Sequence, residues 1–520
     1  MITINYVIEN RYYDSVVLMN SAGRIKEASG ATQVSLMMGT TANKELMSAT
    51  KLLTADGETA QPGDLIVALV VQDESMARTA MDFLEEALAP KISDEEGDYT
   101  PRSLDGAVKM LPGANLAVVS IPGDYVEWEV DKLLDGDIHA MIFSDNVSLE
   151  TEIALKKKGE EKGLLVMGPD CGTSIISGSA LGFANRVRRG RIGIVAAAGT
   201  GIQEVSTLIH KMGEGISHAI GTGGRDLSKE VGGITMKMGI RALLEDEATE
   251  VLCLISKPPH PDVEKEIYDI LRGCSKPVVV NLLGGDGAQA RELGLHFAST
   301  LEEAAMLSVK AAGGSASLPV SGDPDKLADE EIVKLAPVQK YLRGLYSGGT
   351  LAGETRLILE GMGFHLYSNV TKKESDQLKN PDISLENTLV DMGEDHFTRG
   401  APHPMIDQTK RLARIYTESE DPETAVILLD LVLGYGAHEN PGEELARTIE
   451  KVRKRVELEG RHIIFVASVC GVPEDPQDSR KQREAMEKAG VFMFPSNASA
   501  TRFVGKVMSR LLKPVKGGSQ

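Results

Sequence analysis

The chain has 520 residues, of which 42% are hydrophobic and 25% charged, a composition typical of a soluble protein with about three or four domains. Its formal net charge of −20 excludes nucleic acid and anionic membranes as main partners. The four cysteines form no CxxC pair, and the histidine spacing does not resemble a metal site. With neither a signal-like N-terminus nor an apolar run of about 18 residues, we expect a cytoplasmic protein.

The first part of the chain alternates apolar runs with amphipathic stretches. Residues 34–40 and 64–71 read as strands, and from residue 115 a strand–helix rhythm is plain, with strands near residues 115–123, 139–145 and 163–173. Continuous apolar strands between amphipathic helices indicate a parallel sheet with helices on both faces. We therefore predict an α/β fold and a Rossmann-like domain over residues 1–188.

The carboxyl ends of these strands carry small and polar residues. Ligands of parallel α/β sheets bind beyond that edge, so SIPG, FSDN and GPDCGT should share one rim. The candidate substrate-contacting residues there are Ser144, Asp145, Asn146, Gly168, Pro169 and Asp170.

Two further α/β units follow, each with a flavodoxin-like alternation of strands and helices. We place them at residues 189–312 and 336–514, separated by a Gly-, Ser-, Pro- and Asp-rich linker at residues 313–335. Four segments recur in the same order in both units, including DEATEVLCLIS in the first and DPETAVILLDL in the second. This agreement indicates an internal duplication.

Each unit contains a strand that leads through a turn of small residues into a helix. The first is RIGIVAAAGTGIQE and the second LYSGGTLAGE. A helix N-terminus without bulky side chains presents free N–H groups and the positive end of the helix dipole, which favours phosphate. We predict one phosphate site shared by both turns, formed by Gly199, Thr200, Gly201, Gly348, Gly349 and Thr350. A tight strand–helix connection is the alternative.

Four basic or titratable side chains are the candidates for catalysis. Lys257 ends a buried strand on the functional rim, and Arg225 follows a run of glycines. Arg399 and His403 lie close together in the third unit. Arginine is suited to bidentate contacts with phosphate or carboxylate, and histidine to proton transfer. The alternatives are a solvated strand end for Lys257, a surface loop for Arg225, and turn capping for the histidine.

Motifs along nearly the whole chain resemble the FdrA family. They include MMGTTANKELM, KGLLVMGPDCGTS, GTGGRDLS, YLRGLYSGGTLAGET and PHPMID, and the central ones also resemble the α subunit of succinyl-CoA synthetase and other NDP-forming acyl-CoA synthetases. The resemblance implies a CoA-binding, Rossmann-like first domain, followed by two flavodoxin-like lobes whose turns converge on a phosphate.

The chain departs from those synthetases in its catalytic elements. Their phosphorylated histidine lies on a loop after the strand that matches PVVVNLLGG, but only GDGAQARELG separates that strand from LHFAS here. His296 lies inside the next strand, and Lys257 stands near the position of the acidic residue that orients the histidine. There is no room for an ATP-grasp domain, so we expect no ATP site and no phosphoenzyme. The CoA-site turn lacks a recognisable glycine fingerprint.

The resemblance implies a small phosphorylated substrate and partner subunits. The FdrA family is linked to oxamate carbamoyltransferase, in the setting of ureide and purine catabolism, so we expect carbamoyl transfer between carbamoyl phosphate and oxamate or a similar acceptor. An acid–CoA ligase and a non-catalytic regulatory or scaffold subunit are the alternatives. No cofactor is certain, CoA is the candidate, and a homo-oligomer remains open.

Overall fold

The computed structural model describes residues 2–13, 15–89, 101, 103–319, 322–371, 373–399 and 401–511. The chain forms two compact units. The first comprises Met1–Asn115 and Asp395–Asp407, and the second comprises Leu116–Glu394 and Gln408–Gln520.

The first unit contains a three-stranded antiparallel sheet of order β1-β3-β2. The central strand is apolar on both faces: Leu65, Val67 and Leu69 pack in one core cluster, and Ile66 and Ala68 pack in another. The elements are β1 (Ile2–Ile8), α1 (Ser15–Ser29), β2 (Gln33–Met38), α2 (Thr41–Ala49), α3 (Ala55–Glu58), β3 (Leu65–Val71), α4 (Glu74–Leu88) and α5 (Leu104–Met110).

This sheet differs from the prediction of one Rossmann-like domain over residues 1–188. The strands of the first unit pair antiparallel and belong to a different sheet from the strands that follow residue 115. A continuous apolar run is equally typical of a strand buried on both faces of a small antiparallel sheet, so the run at residues 64–71 did not reveal its direction of pairing.

The second unit begins with the predicted strand–helix alternation, now as a short parallel sheet of order β4-β5-β6. Its elements are β4 (Leu116–Val119), α6 (Gly123–Asp135), β5 (His139–Ile142), α7 (Leu149–Lys162) and β6 (Val166–Met167). An antiparallel hairpin follows, β7 (Thr173–Ile176) and β8 (Ser179–Gly182), and joins the edge of the next sheet.

Lobe 1, residues 189–312, has a sheet of order β13-β12-β11-β9-β10 continued by the hairpin. The strands β9 to β13 pair parallel, which confirms the predicted flavodoxin-like arrangement. The elements are β9 (Arg189–Ala196), α8 (Gly199–Lys211), β10 (Ile216–Gly221), α9 (Ile234–Glu245), β11 (Val251–Ser256), α10 (Pro261–Leu271), β12 (Val278–Leu282), α11 (Ala288–Glu292), β13 (His296–Phe297) and α12 (Leu301–Ala311).

The predicted linker contains a helix, α13 (Pro324–Ile332). Asp323 caps it and a proline occupies its first turn, which is the usual chemistry of a helix start. Arg510 holds the helix by an ion pair to Asp325 at 2.9 Å. The composition of residues 313–335 predicted a linker, and this part of it is ordered as a helix.

Lobe 2, residues 336–394 and 408–511, has a parallel sheet of order β15-β16-β14-β17-β18-β19. Apart from β15, this order repeats that of lobe 1 strand for strand, as a duplication predicts. The elements are β14 (Tyr341–Tyr346), α14 (Gly349–Gly361), β15 (Tyr367–Ser368), β16 (Thr388–Asp391), α16 (Thr409–Glu420), β17 (Thr424–Val432), α17 (Pro441–Leu458), β18 (Ile464–Cys470), α18 (Ser479–Lys488), β19 (Phe492–Phe494) and α19 (Asn497–Leu511), while α15 (Asp395–Thr398) lies in the first unit.

Candidate functional site

The turn of lobe 1 leaves a set of N–H groups unused. β9 ends at Ala196, and α8 begins at Gly199 with Ala198 as its cap. Ile202 is the first residue to donate back, to the Ala198 carbonyl at 3.0 Å. Within the described chain the N–H groups of Ala198, Gly199, Thr200 and Gly201 have no partner. Four unpaired donors at a helix start are suited to an anion, and that this turn binds phosphate stays a prediction.

The turn of lobe 2 has the same path but different chemistry. The carboxylate of Asp430, at the end of β17, accepts the Ser347 N–H at 2.9 Å and the Gly348 N–H at 2.8 Å. Arg411 binds the same carboxylate at 2.6 Å, and both side chains are fully buried. Burial lowers the pKa of Arg411, and Asp430 opposes that effect. Gly348 therefore gives its N–H to the protein, not to a ligand, which corrects its predicted role as a phosphate donor.

Three N–H groups remain at the start of α14. Gly349, Thr350 and Leu351 have no backbone partner in the part of the chain that the structure describes. The hydroxyl groups of Thr200 and Thr350 also make no hydrogen bond among the described residues. Both turns thus offer donors of the type that the sequence analysis assigned to phosphate.

The two turns face each other across the lobes. A Cβ built on Gly348 would lie 3.0 Å from Cγ2 of Thr200, and one built on Gly201 would lie 3.5 Å from Cγ2 of Thr350. Each threonine therefore approaches a glycine of the opposite turn, and a side chain at Gly348 would separate the helix ends. The sequence prediction that the two turns converge agrees with this geometry.

A carboxyl group that sequence reasoning missed lies at the same place. Asp391 ends β16, is 4% exposed, and its Oδ2 would lie 2.3 Å from a Cβ built on Gly349. Burial raises the pKa of Asp391 to about 7, and the charges of Glu394 and Asp430 act in the same direction. The Gly393 N–H and the positive charge of Lys257 oppose the increase. Lys257, exposed at the end of β11, thus acts electrostatically on a carboxyl group of the other lobe.

Two buried glutamates bind the lobes to each other. Glu204 in α8 accepts the Asn497 N–H at the start of α19 at 2.9 Å. Glu354, six residues into α14 as Glu204 is in α8, accepts the Leu301 N–H at the start of α12 at 2.6 Å. Each lobe therefore caps the last helix of the other, and the two contacts are related by the duplication. They fix the approach of α8 and α14, whose N-termini form the predicted anion site.

The predicted rim residues come together at the carboxyl ends of β4, β5 and β6. Asp170 donates its N–H to the Ser144 carbonyl at 3.0 Å, and the Ser144 hydroxyl accepts the Ile121 N–H at 2.9 Å. A Cβ on Gly123 would lie 2.4 Å from the Asn146 carbonyl. These contacts bring the three loops of the rim together; that Asp145, Gly168 and Pro169 contact substrate stays a prediction.

Arg225 is held by protein groups. Its Nε lies 2.9 Å from a Glu152 carboxylate oxygen, and its Nη2 donates to the Val147 carbonyl at 2.8 Å. The same Glu152 pairs with the fully buried Lys156 at 3.0 Å, and Lys156 also pairs with Asp226 at 2.7 Å. The guanidinium group belongs to a network that joins α7 to the loop after β10. Among the described residues, it makes no hydrogen bond or ion pair to either glycine turn.

Arg399 and His403 lie in Asp395–Asp407, the segment that groups with the first unit. Arg399 pairs with Asp395 at 3.5 Å, and the Nδ1 atom of His403 accepts the Met405 N–H at 3.2 Å. The histidine therefore adopts the turn-capping role that the sequence analysis kept as its alternative. The catalytic roles of both residues stay predictions.

The histidines of the second unit serve local structure. Nδ1 atoms accept backbone N–H groups in His139, His210, His218, His260 and His438, while His365 and His462 contact carboxylates. His296 lies in β13 beside Val279 of β12, which confirms that it is a strand residue. Among the described residues, no group of three or more His, Cys, Asp and Glu side chains is arranged to hold a metal ion.

Comparison with known proteins adds domain assignments. Residues 1–102 match an AllF, heavy metal-associated domain, residues 187–282 a CoA binding domain, and residues 345–507 a CoA-ligase domain. The Escherichia coli protein YahF is 40% identical over 491 residues, which cover 94% of this chain and 95% of YahF. This chain belongs to the YahF family.

More distant relatives of this YahF-family chain are CoA ligases. The succinate–CoA ligase α subunit 1 of Archaeoglobus fulgidus is 23% identical over 38% of this chain and 70% of its own length. The solved dinucleotide-forming acetyl-CoA synthetase 1 of Ca. Korarchaeum cryptofilum aligns over 76% of this chain and 83% of its own, with 17% identity and a TM-score of 0.29.

The matches thus give the chain a CoA binding domain and a CoA-ligase domain, and its family is that of YahF. The CoA binding domain match, residues 187–282, lies almost entirely in lobe 1, whereas the sequence analysis placed a CoA-binding-type domain at residues 1–188. The resemblance to FdrA stays a prediction. In the part of the chain that the structure describes, no helix has the length and apolarity needed to cross a membrane.

Proposed function

We propose that this chain is the acyl-transfer subunit of a CoA-ligase-like enzyme, which binds an acyl phosphate between its two turns and transfers the acyl group to the thiol of CoA. The observation that carries the proposal is the meeting of two helix N-termini with unpaired N–H groups, Gly199 to Gly201 on one side and Gly349 to Leu351 on the other. Their dipoles and donors stabilise the charge that develops on a departing phosphate.

The arrangement of the histidines supports a ready-made acyl phosphate as donor. Succinyl-CoA synthetases, which this chain resembles, pass phosphate through a loop histidine. Here His296 lies in β13, and the Nδ1 atoms of five other histidines accept backbone N–H groups. A site without a phosphoryl acceptor histidine still suits the half-reaction in which an acyl phosphate and a thiol give a thioester and phosphate.

The rim of β4, β5 and β6 is suited to the second substrate. Its loops lie close enough that Gly123 has no space for a Cβ, and they present backbone groups at the ends of parallel strands, where such folds bind ligands. The matches to a CoA binding domain at residues 187–282 and to a CoA-ligase domain at residues 345–507 support CoA as a substrate of the chain, and the placement of CoA at this rim is our inference from the strand ends. To Lys257, exposed after the end of β11, we assign the role of holding a carboxylate or phosphate of the donor.

Carbamoyl transfer uses the same type of donor, because carbamoyl phosphate is also a mixed anhydride of phosphoric acid. It was the main expectation from the resemblance to FdrA, but none of the matches reported above names a carbamoyltransferase or a role in ureide or purine catabolism. It is therefore the second candidate, and partner subunits and the absence of an ATP site remain predictions.

The test measures turnover of several donor–acceptor pairs by the full chain together with any subunits that co-purify. Acetyl phosphate or succinyl phosphate is supplied with CoA, and carbamoyl phosphate is supplied with oxamate. Thioester and released phosphate are measured for each pair. We expect thioester to form in step with phosphate. Phosphate release only with carbamoyl phosphate and oxamate would favour the second candidate. No release in any arm and no binding of inorganic phosphate would contradict both and favour a scaffold subunit.

A further inference from the structure

Asp391 is the last residue of β16, in register with Tyr346 at the end of β14. Its side chain therefore emerges at the carboxyl edge of the lobe 2 sheet, beside the start of α14. The side chain of Asn369 holds its backbone on both sides, accepting the Asp391 N–H at 2.9 Å and donating to the Asp391 carbonyl at 2.8 Å. The position of the carboxyl group is thus set by the fold.

The two carboxyl oxygens of Asp391 have different environments. Oδ1 accepts the Gly393 N–H at 2.9 Å, which stabilises the turn after β16. Oδ2 makes no hydrogen bond among the described residues, although Asp391 as a residue is 96% buried, and it fills the space that a side chain at Gly349 would need. A purely structural role explains Oδ1 but not Oδ2, which is unpaired yet not among the fully buried atoms, and so remains accessible to a ligand at the start of α14.

Charged groups from several elements act on this carboxyl group. They are Asp430 on β17, Glu394 just after β16 and Lys257 at the end of β11. Arg411 on α16 forms an ion pair with Asp430. Burial is the largest effect on the pKa of Asp391, which is raised to about 7. A carboxyl group whose pKa lies near neutral pH is suited to take and return a proton during turnover.

We propose that Asp391 is the catalytic acid–base of the acyl transfer, a role that rests on the proposed function of the two turns. Oδ2 takes the proton of the CoA thiol while the sulfur forms a bond to the carbonyl carbon of the acyl phosphate. The bond from that carbon to the phosphate oxygen breaks, and the phosphate leaves with the electron pair on the donors of α8 and α14. Asp391 then gives its proton to the phosphate, so protons and electrons balance over the reaction.

The first test uses sulfate, a dianion with no titration of its own in the range studied. As Asp391 ionises, its charge repels an anion at the start of α14. We expect the affinity of the full chain for sulfate to fall about tenfold as pH rises through about 7, a change of about 1.4 kcal/mol. Asp391→Asn keeps the acceptor for Gly393 and removes the charge, so its sulfate affinity should not change over this range.

A matched control is Glu394→Gln, which removes an exposed charge that also raises the pKa of Asp391. In this variant the sulfate affinity should still fall with pH, but with a midpoint at lower pH. A pH profile of sulfate binding that is the same in the wild type and in Asp391→Asn would overturn the proposal.

Turnover separates the role of Asp391 from the function of the site. With acetyl phosphate and CoA, Asp391→Asn should lose about 10²- to 10⁴-fold in kcat, while its affinity for inorganic phosphate at low pH stays near that of the wild type. Equal turnover of variant and wild type would overturn the acid–base role and leave the proposed function intact. Failure of the wild type to bind phosphate or sulfate would overturn both.

Discussion

Asp430 and Ile255 occupy corresponding positions in the two lobes. Ile255 pairs with Ala196 beside the first turn, and Asp430 follows Leu429, which pairs with Leu345 beside the second. The duplicated turns have therefore diverged. In the first, the Ala197 N–H donates to the Ile255 carbonyl at 3.1 Å and the N–H groups of Ala198 to Gly201 have no partner among the described residues, while the second binds a carboxylate from its own sheet. Anion binding should depend more on the donors of α8 than on those of α14.

Replacing Gly199 by proline removes one of those donors with little disturbance of the helix. Gly199 is the first residue of α8, where proline is favoured, and Ala198 before it is already extended at φ −152° and ψ 105°. A charge-assisted hydrogen bond contributes about 1.5–3 kcal/mol, so we expect Gly199→Pro to weaken phosphate binding about tenfold or more, measured by calorimetry.

Gly199→Ala is the control for that substitution. A Cβ at Gly199 would lie 3.3 Å from Oγ1 of Thr173, a contact that a small shift of the hydroxyl group relieves, and the N–H group is retained. Its phosphate affinity should stay within about threefold of the wild type. If alanine and proline weakened binding equally, the shape of the turn and not its N–H group would be the determinant.

The Asp430–Arg411 pair should matter for stability because both groups are buried. Asp430→Asn would leave the guanidinium group of Arg411 without its counter-charge, and breaking a buried ion pair typically costs about 3–5 kcal/mol. We expect a loss of this size in the free energy of unfolding, measured by urea denaturation.

Ser347→Ala is the comparison for Asp430→Asn. It removes only the hydroxyl group that donates to Asp430 at 3.0 Å, for which we expect a loss of about 1 kcal/mol. Equal losses in the two variants would mean that the ion pair contributes nothing beyond its hydrogen bonds.

At the scale of elements, α8 and α14 carry the glutamates that cap α19 and α12 of the opposite lobe. Burial raises the pKa of both Glu204 and Glu354, and for Glu354 to about 7. The groups that face this pair are Glu302 on α12, Lys211 on α8 and Cys470 at the end of β18. Two carboxyl groups this close favour a state in which one keeps its proton.

The stability of the lobe contact should therefore depend on pH. The pKa of Glu354 is higher in the folded state than the ordinary glutamate value of 4.5, so its contribution to stability is fully present below about 4.5 and is lost as pH rises through about 7. The difference is on the order of 3 kcal/mol. We expect the unfolding free energy of the wild type to fall over this window more steeply than that of Glu354→Gln, measured by denaturation at several pH values.

Glu302→Gln supplies the comparison for the pH experiment. Its carboxylate raises the pKa of Glu354 but caps neither helix in question. This variant should keep most of the pH dependence, with a midpoint at lower pH. Parallel pH profiles for the wild type and Glu354→Gln would assign the titration to other groups.

The elements built from long apolar runs could be predicted from sequence, and the contacts between them could not. The strands near residues 192–196 and 424–432 and both glycine turns follow from local pattern, because burial on both faces of a parallel sheet demands continuous apolar residues. Asp391 and Asp430 were missed because their significance arises only when β16 and β17 lie beside α14. From the local sequence pattern, a buried aspartate at a strand end cannot be distinguished from an aspartate in an exposed turn.

Pairing between short strands, and between strands far apart in the chain, could not be predicted from the sequence either. The hairpin of β7 and β8 has only four residues in each strand, and β1 pairs with a strand about 60 residues further along the chain. Periodicity identifies a strand but not its partner, so a Rossmann-like unit was the natural reading of residues 1–188. The roles of Lys257, Arg225, Arg399 and His403 in catalysis cannot be read from pattern either, because cations at strand ends and in loops serve structure as often as substrate.

At the scale of the whole molecule, two compact units with separate cores imply separate unfolding. The first unit has its own core clusters around Leu65 and Ile66, while the predicted anion site lies entirely in the second unit. A ligand that binds only the folded second unit stabilises that unit by about 2.7 kcal/mol at a concentration 100 times its Kd. Calorimetry with and without phosphate should therefore show two transitions, of which only one moves to higher temperature. In Gly199→Pro that shift should shrink at the same phosphate concentration, because fewer molecules are bound. Equal movement of both transitions would mean that the units unfold together, and the anion site would then report on the stability of the entire chain.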